Sequence, residues 1–236
     1  MKHLEPYKLD IDVVDFYYLK GFETDTKILN KVIEIIDVYS TASTVAEMGE
    51  RRITDFRTSK TCYFDQHITK ETKHLENKII DTVKIPLNKS EPIQGQKYEI
   101  GQYFKEHTDF FPLNSETYRI FAPNDNQRTW TFMLYLNDVE EGGFTRFPQL
   151  KLQFKPRAGD ALLWNNLLPG TDIENDWTSH QALPPESGKK YIITQWFRKK
   201  DYRTPITSGY EIPVDRLSRP CGGPGGFDDF VERWHE

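Results

Sequence analysis

At 236 residues, with 14% aromatic and 28% charged side chains, the chain has the material for one sizeable hydrophobic core, which excludes a disordered or fibrous polypeptide. Lys and Arg number 31 against 36 Asp and Glu, a formal net charge of −5, which argues against a general nucleic-acid binder, whose phosphate contacts need a basic face. There is no signal-length apolar run at the N-terminus and no 18-residue uncharged apolar stretch, so a cytoplasmic protein with no membrane partner is expected. Cys62 and Cys221, far apart and outside any metal-ligand spacing, make a disulfide framework unexpected.

Residues 1 to about 23 carry Tyr7, Phe16, Tyr17, Tyr18 and Phe22 without a helical period and read as an edge strand or packed arm. From Asp25 onward, Ile28, Leu29, Val32, Ile33, Ile35, Ile36 and Val38 recur mostly at spacings of three and four, as the buried stripe of a helix requires. Met48 to Phe64 reads as loop plus a short strand, with Arg51 and Arg52 as solvated surface. A second helix is expected over Thr69 to Val83, with Leu75, Ile79, Ile80 and Val83 as its apolar face and Pro86 as its stop.

From Gln94 the period becomes extended. Lys97 to Tyr103, Thr129 to Leu136, Phe144 to Phe147, Leu152 to Lys155, Ala161 to Trp164, Thr178 to Ala182 and Lys190 to Phe197 are the strand candidates, separated by turn signals such as Glu141-Gly142-Gly143. Many short strands after leading helices predict a jelly roll braced by helices on one side. Phe110 to Gln127 is a long connection with Pro112, Asn114, Pro123 and Asn124, read as a candidate substrate loop. Pro220 to Gly226 is a glycine-rich break before an acidic, aromatic end at Phe227 to Glu236, a docking element or lid if not simply a loosely held terminus. The expected organisation is one domain over 1–236: a helical support at 1–90, a catalytic core at 91–200 and an extension at 201–236.

Within that frame His107-Thr108-Asp109 stands out. Side chains two apart on an extended segment share a face, so an imidazole and a carboxylate can meet one metal ion while Thr108 turns away. Two His and one carboxylate is the ligand set of non-haem Fe(II) oxygenases, and His180 is the completing residue if the intervening sheet returns to the same place. Zinc and copper suit the same donors. In the last strand Lys190, Ile192, Thr194 and Trp196 share a face. A lysine there is either at an exposed strand end or buried beside an anion, because an unpaired buried ammonium is costly.

Tyr98, nine residues before His107, His107-Thr108-Asp109, Gly142-Gly143-Phe144-Thr145, His180 and Gly188-Lys189-Lys190-Tyr191 together resemble the prolyl 4-hydroxylase branch of the Fe(II)/2-oxoglutarate-dependent dioxygenases, over roughly residues 90 to 200. The resemblance implies an α+β, mainly β fold with a double-stranded β-helix (jelly-roll, cupin-like) core. It implies Fe(II) on His107, Asp109 and His180, with 2-oxoglutarate and O2 as co-substrates and ascorbate as reductant. Lys190, in preference to Lys189, would hold the far carboxylate of 2-oxoglutarate, with hydroxyls from Tyr98 and Thr145 and a wall from Trp196. Arg128 matches a family arginine at the peptide groove, and Arg198, on the Trp196 face, is a further candidate for substrate contact. The implied reaction hydroxylates proline in a peptide or protein. A free amino acid or other small molecule as substrate, and a jelly-roll protein that holds a metal without turnover, are the alternatives. Phe144 stands where the family usually has an acidic residue, and Phe104 where members can have Tyr, so substrate identity carries over less firmly than the reaction. Oligomeric state is left open.

Overall fold

The computed structural model describes residues 7–9, 11–47, 50–65 and 67–203. The glycine-rich stretch, Cys221 and the acidic end expected beyond residue 219 lie outside the described residues.

Strands β1 (Tyr7–Lys8) and β2 (Phe16–Leu19) form the expected N-terminal edge. Helix α1 (Thr26–Tyr39) starts where Asp25 accepts a hydrogen bond from the Lys27 N–H, a side-chain cap for an otherwise orphan donor. Its Leu29, Val32, Ile35 and Ile36 are buried. Short strands β3 (Thr41–Ala42), β4 (Val45–Glu47), β5 (Glu50–Arg52) and β6 (Lys60–Tyr63) follow. Helix α2 (Lys70–Val83) opens with a reciprocal capping box between Thr69 and Thr72. It closes on Lys84 in the left-handed conformation (φ 62°), two residues ahead of the expected proline stop.

The extended half differs from expectation at its start. Strand β7 is Gln94–Tyr98, and a turn through Gly101 (φ 78°) separates it from β8 (Phe104–His107), where one strand over 97–103 was expected. The connection after Asp109 is also more ordered than a loop. It holds helix α3 (Glu116–Phe121), capped by Ser115, and buries Phe111, Phe121 and Ala122 in a small cluster of their own. Strands β9 (Arg128–Tyr135), β10 (Thr145–Phe147), β11 (Leu152–Phe154), β12 (Ala161–Asn165), β13 (His180–Ala182) and β14 (Lys190–Arg198) lie close to their expected places.

All strand pairings are antiparallel. The major sheet runs β1-β2-β12-β9-β14-β7-β6-β3 and the minor sheet β11-β10-β13-β8, the two layers of a jelly roll. Phe16, Met133, Tyr135, Phe147, Leu162 and Trp164 fill the space between the sheets. The other face of the major sheet packs Leu134, Ile193 and Phe197 against the stripes of α1 and α2. Strand β14 is therefore covered on both faces and buried along its whole length. Contact is so close at Gly95 that a Cβ there would lie 2.5 Å from Ile36 Cγ1, which is why this central strand carries a glycine. Among the described residues no helix is long and apolar enough to cross a membrane.

Candidate active site

The two candidate histidines meet because β8 and β13 pair with His107 directly opposite His180. Between this pair and the next, Phe104 opposite Ala182, β8 takes three steps where β13 takes two, a bulge that re-aims side chains beside a site. The imidazole centroids are 4.4 Å apart. Asp109, two residues past the end of β8, brings Oδ1 to 3.9 Å from His107 Nε2 and Oδ2 to 3.8 Å from His180 Nε2. One donor atom from each of the three residues falls within 4.8 Å of the others, a spacing a single metal ion can bridge. Thr108 turns away, as alternation requires, and donates to Glu174 Oε1 at 2.8 Å.

Both rings are set for metal binding by their other nitrogen. His107 Nδ1 lies 2.8 Å from the Lys105 carbonyl and His180 Nδ1 2.9 Å from the Thr178 carbonyl. A carbonyl can only accept, so Nδ1 carries the hydrogen and the Nε2 lone pairs face the triad. Burial, with His180 adding to it, pushes the His107 pKa down to about 3, so its ring is neutral at physiological pH. Burial opposes ionisation of Asp109, but His180, His107 and Arg128 outweigh it and hold the carboxyl below its ordinary range. The Trp196 indole N–H, which completes no hydrogen bond of its own, contributes in the same direction. Thr131 donates to Asp109 Oδ2 at 2.8 Å and accepts from Asn166 Nδ2 at 2.9 Å, which locks the carboxylate's orientation.

Deeper in the cavity lies Lys190, with 0% exposure. Its Nζ donates to Thr145 Oγ1 at 3.1 Å and faces the rings of Tyr98 (5.4 Å) and Tyr135 (5.7 Å). Among the described residues no carboxylate pairs with it, and burial pushes its pKa down to about 7. Thr145 reaches this place through two successive left-handed glycines, Gly142 (φ 70°) and Gly143 (φ 69°). A Cβ on Gly142 would strike the Pro184 carbonyl at 2.5 Å. Tyr98 and Trp196 line the same cavity. The cavity thus has two imidazoles and a carboxylate at one end and an ammonium with no carboxylate partner among the described residues at the other. That donor set suits Fe(II), and the ammonium with its neighbouring hydroxyls suits the far carboxylate of 2-oxoglutarate.

Arg128 and Arg198 do not line the cavity. Arg128 is clamped by Glu91, Nε to Oε1 at 2.6 Å and Nη2 to Oε2 at 2.9 Å, and its guanidinium lies 3.9 Å from the Trp196 ring centroid. Arg198 is 4% exposed, with Nε 2.7 Å from Glu91 Oε1 and Nη1 donating to the carbonyls of Phe121 and Asn126. Arg198 therefore ties β14 to the helical insertion. It lies on the strand face of Trp196.

Sequence reasoning passed over Arg57, Thr131, Asn166 and Glu91. Arg57 is a second cation on the cavity wall, donating to Ser59 Oγ at 3.1 Å and lying 4.7 Å over Phe104, which itself stacks on His107 at 3.6 Å. The signal for Thr131 was available, since it shares a strand face with Met133 and Tyr135. Glu91 and Asn166 sit in irregular segments where no period points inward.

Comparison with known proteins agrees with this geometry. Residues 93–198 match the 2OG-Fe(II) oxygenase superfamily. A probable prolyl 4-hydroxylase 10 of Arabidopsis thaliana is 31% identical over 193 residues, covering 73% of this chain and 65% of that protein. Prolyl 4-hydroxylase subunit alpha-1 of Gallus gallus is 27% identical over 165 residues, 68% of this chain and 31% of the subunit. The chain thus spans less than two thirds of the length of these relatives. The 2OG complex of a viral collagen prolyl hydroxylase from Paramecium Bursaria Chlorella virus-1 superimposes with a TM-score of 0.57 at 26% identity, covering 78% of this chain and 95% of that one. Matches of this kind, over the segment that carries the triad, make the chain similar to the prolyl 4-hydroxylase branch of the 2OG-Fe(II) oxygenase superfamily.

Proposed function

We propose that the protein is an Fe(II)- and 2-oxoglutarate-dependent dioxygenase that hydroxylates prolyl residues in a peptide or protein, releasing succinate and CO2, with ascorbate keeping the iron ferrous. The observation that carries this reading is Lys190, a fully buried ammonium with a hydroxyl and two aromatic faces around it and no carboxylate partner among the described residues. Such a group is unfavourable until an anion arrives, and a dicarboxylic co-substrate brings one.

In this reading His107, His180 and Asp109 would hold the metal ion through His Nε2 and carboxylate oxygen donors. Bound iron and 2-oxoglutarate supply the oxygen activation that protein side chains cannot. Lys190, Thr145 and Tyr98 take the far carboxylate, while Trp164, Trp196 and Ile192 exclude water from the cavity wall. Arg128, held by Glu91 against Trp196, would meet the peptide backbone in this reading, and Arg198 keeps the helical insertion against the core. The direct test is succinate release from protein supplied with Fe(II), ascorbate and 2-oxoglutarate. A proline-rich peptide should stimulate it severalfold, and no stimulation by any proline-containing partner would retire the proline assignment.

A further inference from the structure

We infer that the groove between the free edges of the two sheets is a docking surface for an acidic, extended segment of a partner protein, which adds to β11 as a further strand. The inference goes beyond the proposed reaction and does not depend on it. Topology is its first ground. Strand β1 ends the major sheet and β11 ends the minor sheet. Between them lies a groove of about 360 Å³, with Leu9 and Tyr18 on the major-sheet side and Gln153 and Phe154 on the other. None of these residues lines the active-site cavity. The Tyr18 and Phe154 rings stack across the groove at 6.0 Å, Phe154 stacks on buried Phe16 at 5.4 Å, and the Tyr18 hydroxyl donates to Asp160. The floor is therefore preformed and apolar.

The backbone is the second ground. Strand β11 meets β10 with Phe154 opposite Thr145, Gln153 opposite Arg146 and Leu152 opposite Phe147. Beyond that ladder no main-chain group of residues 152–154 has a hydrogen-bond partner among the described residues. A strand with one neighbour turns half of its N–H and C=O groups outward, and an added strand pairs with them.

Charge selects the occupant. Residues 145–158 carry four cations, Arg146, Lys151, Lys155 and Arg157, and no Asp or Glu, in a chain whose net charge is −5. All four are exposed, and none forms an ion pair among the described residues. Arg146 donates to Gln153 Oε1 at 3.2 Å and Lys155 to the Glu140 carbonyl at 2.8 Å. Asp160, the carboxylate beneath Tyr18, is buried and already accepts from Tyr18 and from the Gly21 N–H. Lys155 and Arg157 line the groove itself. Lysines can guard a bare edge against pairing, but a guarding charge sits within the edge strand. Strand β11 is Leu-Gln-Phe, with its cations before and after it. An extended segment alternates its side chains, so its apolar residues pack on Leu9, Tyr18 and Phe154 while its carboxylates meet the cations at the rim. A polyphosphate chain matches the charge but not the edge, because phosphate offers acceptors and no donors.

The test uses the full chain, without iron or 2-oxoglutarate, and a fluorescent pool of heptapeptides that alternate Glu with Val, Phe or Tyr. Saturable binding is expected, weakened about tenfold by Lys155→Glu/Arg157→Glu and by a similar factor when alternate peptide nitrogens are methylated. Both replaced side chains are exposed, so the variant should melt with the parent. Bound peptide should slow deuterium exchange of the amides within 151–158. No saturable binding at roughly millimolar peptide overturns the inference, and so does binding that survives the charge reversal. Binding indifferent to methylation and displaced by inorganic polyphosphate overturns the added strand in favour of a general polyanion surface. Slowed exchange at 107–109 instead of 151–158 overturns it by assigning the peptide to the active-site cavity.

Discussion

Replacing Lys190 by Met should weaken 2-oxoglutarate binding while stabilising the protein that lacks it. In the ligand-free protein the Lys190 pKa falls from 10.5 to about 7, because burial is opposed by no carboxylate. At 1.36 kcal/mol per unit, the charged form is disfavoured by an amount on the order of 4 kcal/mol near pH 7. The folded pKa is depressed, so between about pH 7 and 10.5 the unfolded chain binds more protons than the native one, and native stability rises with pH across that window. Lys190→Met removes both the penalty and this pH dependence. The ligand-free variant should melt about 2–4 °C higher for each kcal/mol relieved.

Losing one member of a buried charge pair costs about 2–5 kcal/mol, so 2-oxoglutarate affinity should fall by roughly 30-fold to several thousandfold. In the parent protein the dicarboxylate draws a proton onto Lys190, and affinity should weaken up to about tenfold per pH unit above pH 7. Urea unfolding of metal-free protein and anaerobic titration of the Fe(II) form, followed by its visible charge-transfer band, measure the two quantities. A variant that binds 2-oxoglutarate like the parent, or whose ligand-free fold loses several kcal/mol, would refute the reasoning and make Lys190 a structural residue.

Thr131→Val removes the donor that orients Asp109 and should lower iron affinity about 10–100-fold, read by metal titration, with a stability loss of about 1–3 kcal/mol. Glu91→Ala strands the buried guanidinium of Arg198 and the half-buried one of Arg128 and should destabilise the fold by about 3–5 kcal/mol in urea. Loss below 1 kcal/mol would mean the cluster is solvated. Gly95→Ala forces a methyl against Ile36 and should cost about 1–3 kcal/mol, partly recovered by Ile36→Val.

The parts of this molecule that are periodic were legible in its sequence. The stripes of α1 and α2, the alternation that set Lys190, Ile192, Thr194 and Trp196 on one face of β14, and the His107-Thr108-Asp109 pairing all follow from backbone repeats of 3.6 and 2.0 residues. Where burial reverses the usual polarity, the reading slipped. Strand β7 is Gln-Gly-Gln-Lys-Tyr, fully buried yet polar, so within the extended region from Gln94 the strand itself was set at Lys97, three residues late. Helix α3 is six residues between Pro112 and Pro123 and is held by Arg198 and its own aromatic cluster, support that comes from distant chain. Thr131 and Asn166 act through a bond joining β9 to the segment after β12, and Glu91 through arginines 37 and 107 residues away (128 − 91 and 198 − 91). No local pattern encodes such partnerships.

The central claim is that one ferrous ion is shared by three side chains while an ammonium behind it receives the co-substrate. An anaerobic crystal structure with Fe(II) and 2-oxoglutarate tests it in one measurement. The account predicts iron bonded to His107 Nε2, His180 Nε2 and an Asp109 oxygen, with the far carboxylate of 2-oxoglutarate on Lys190 Nζ and Thr145 Oγ1. Iron bound elsewhere, or a carboxylate that bypasses Lys190, would contradict it.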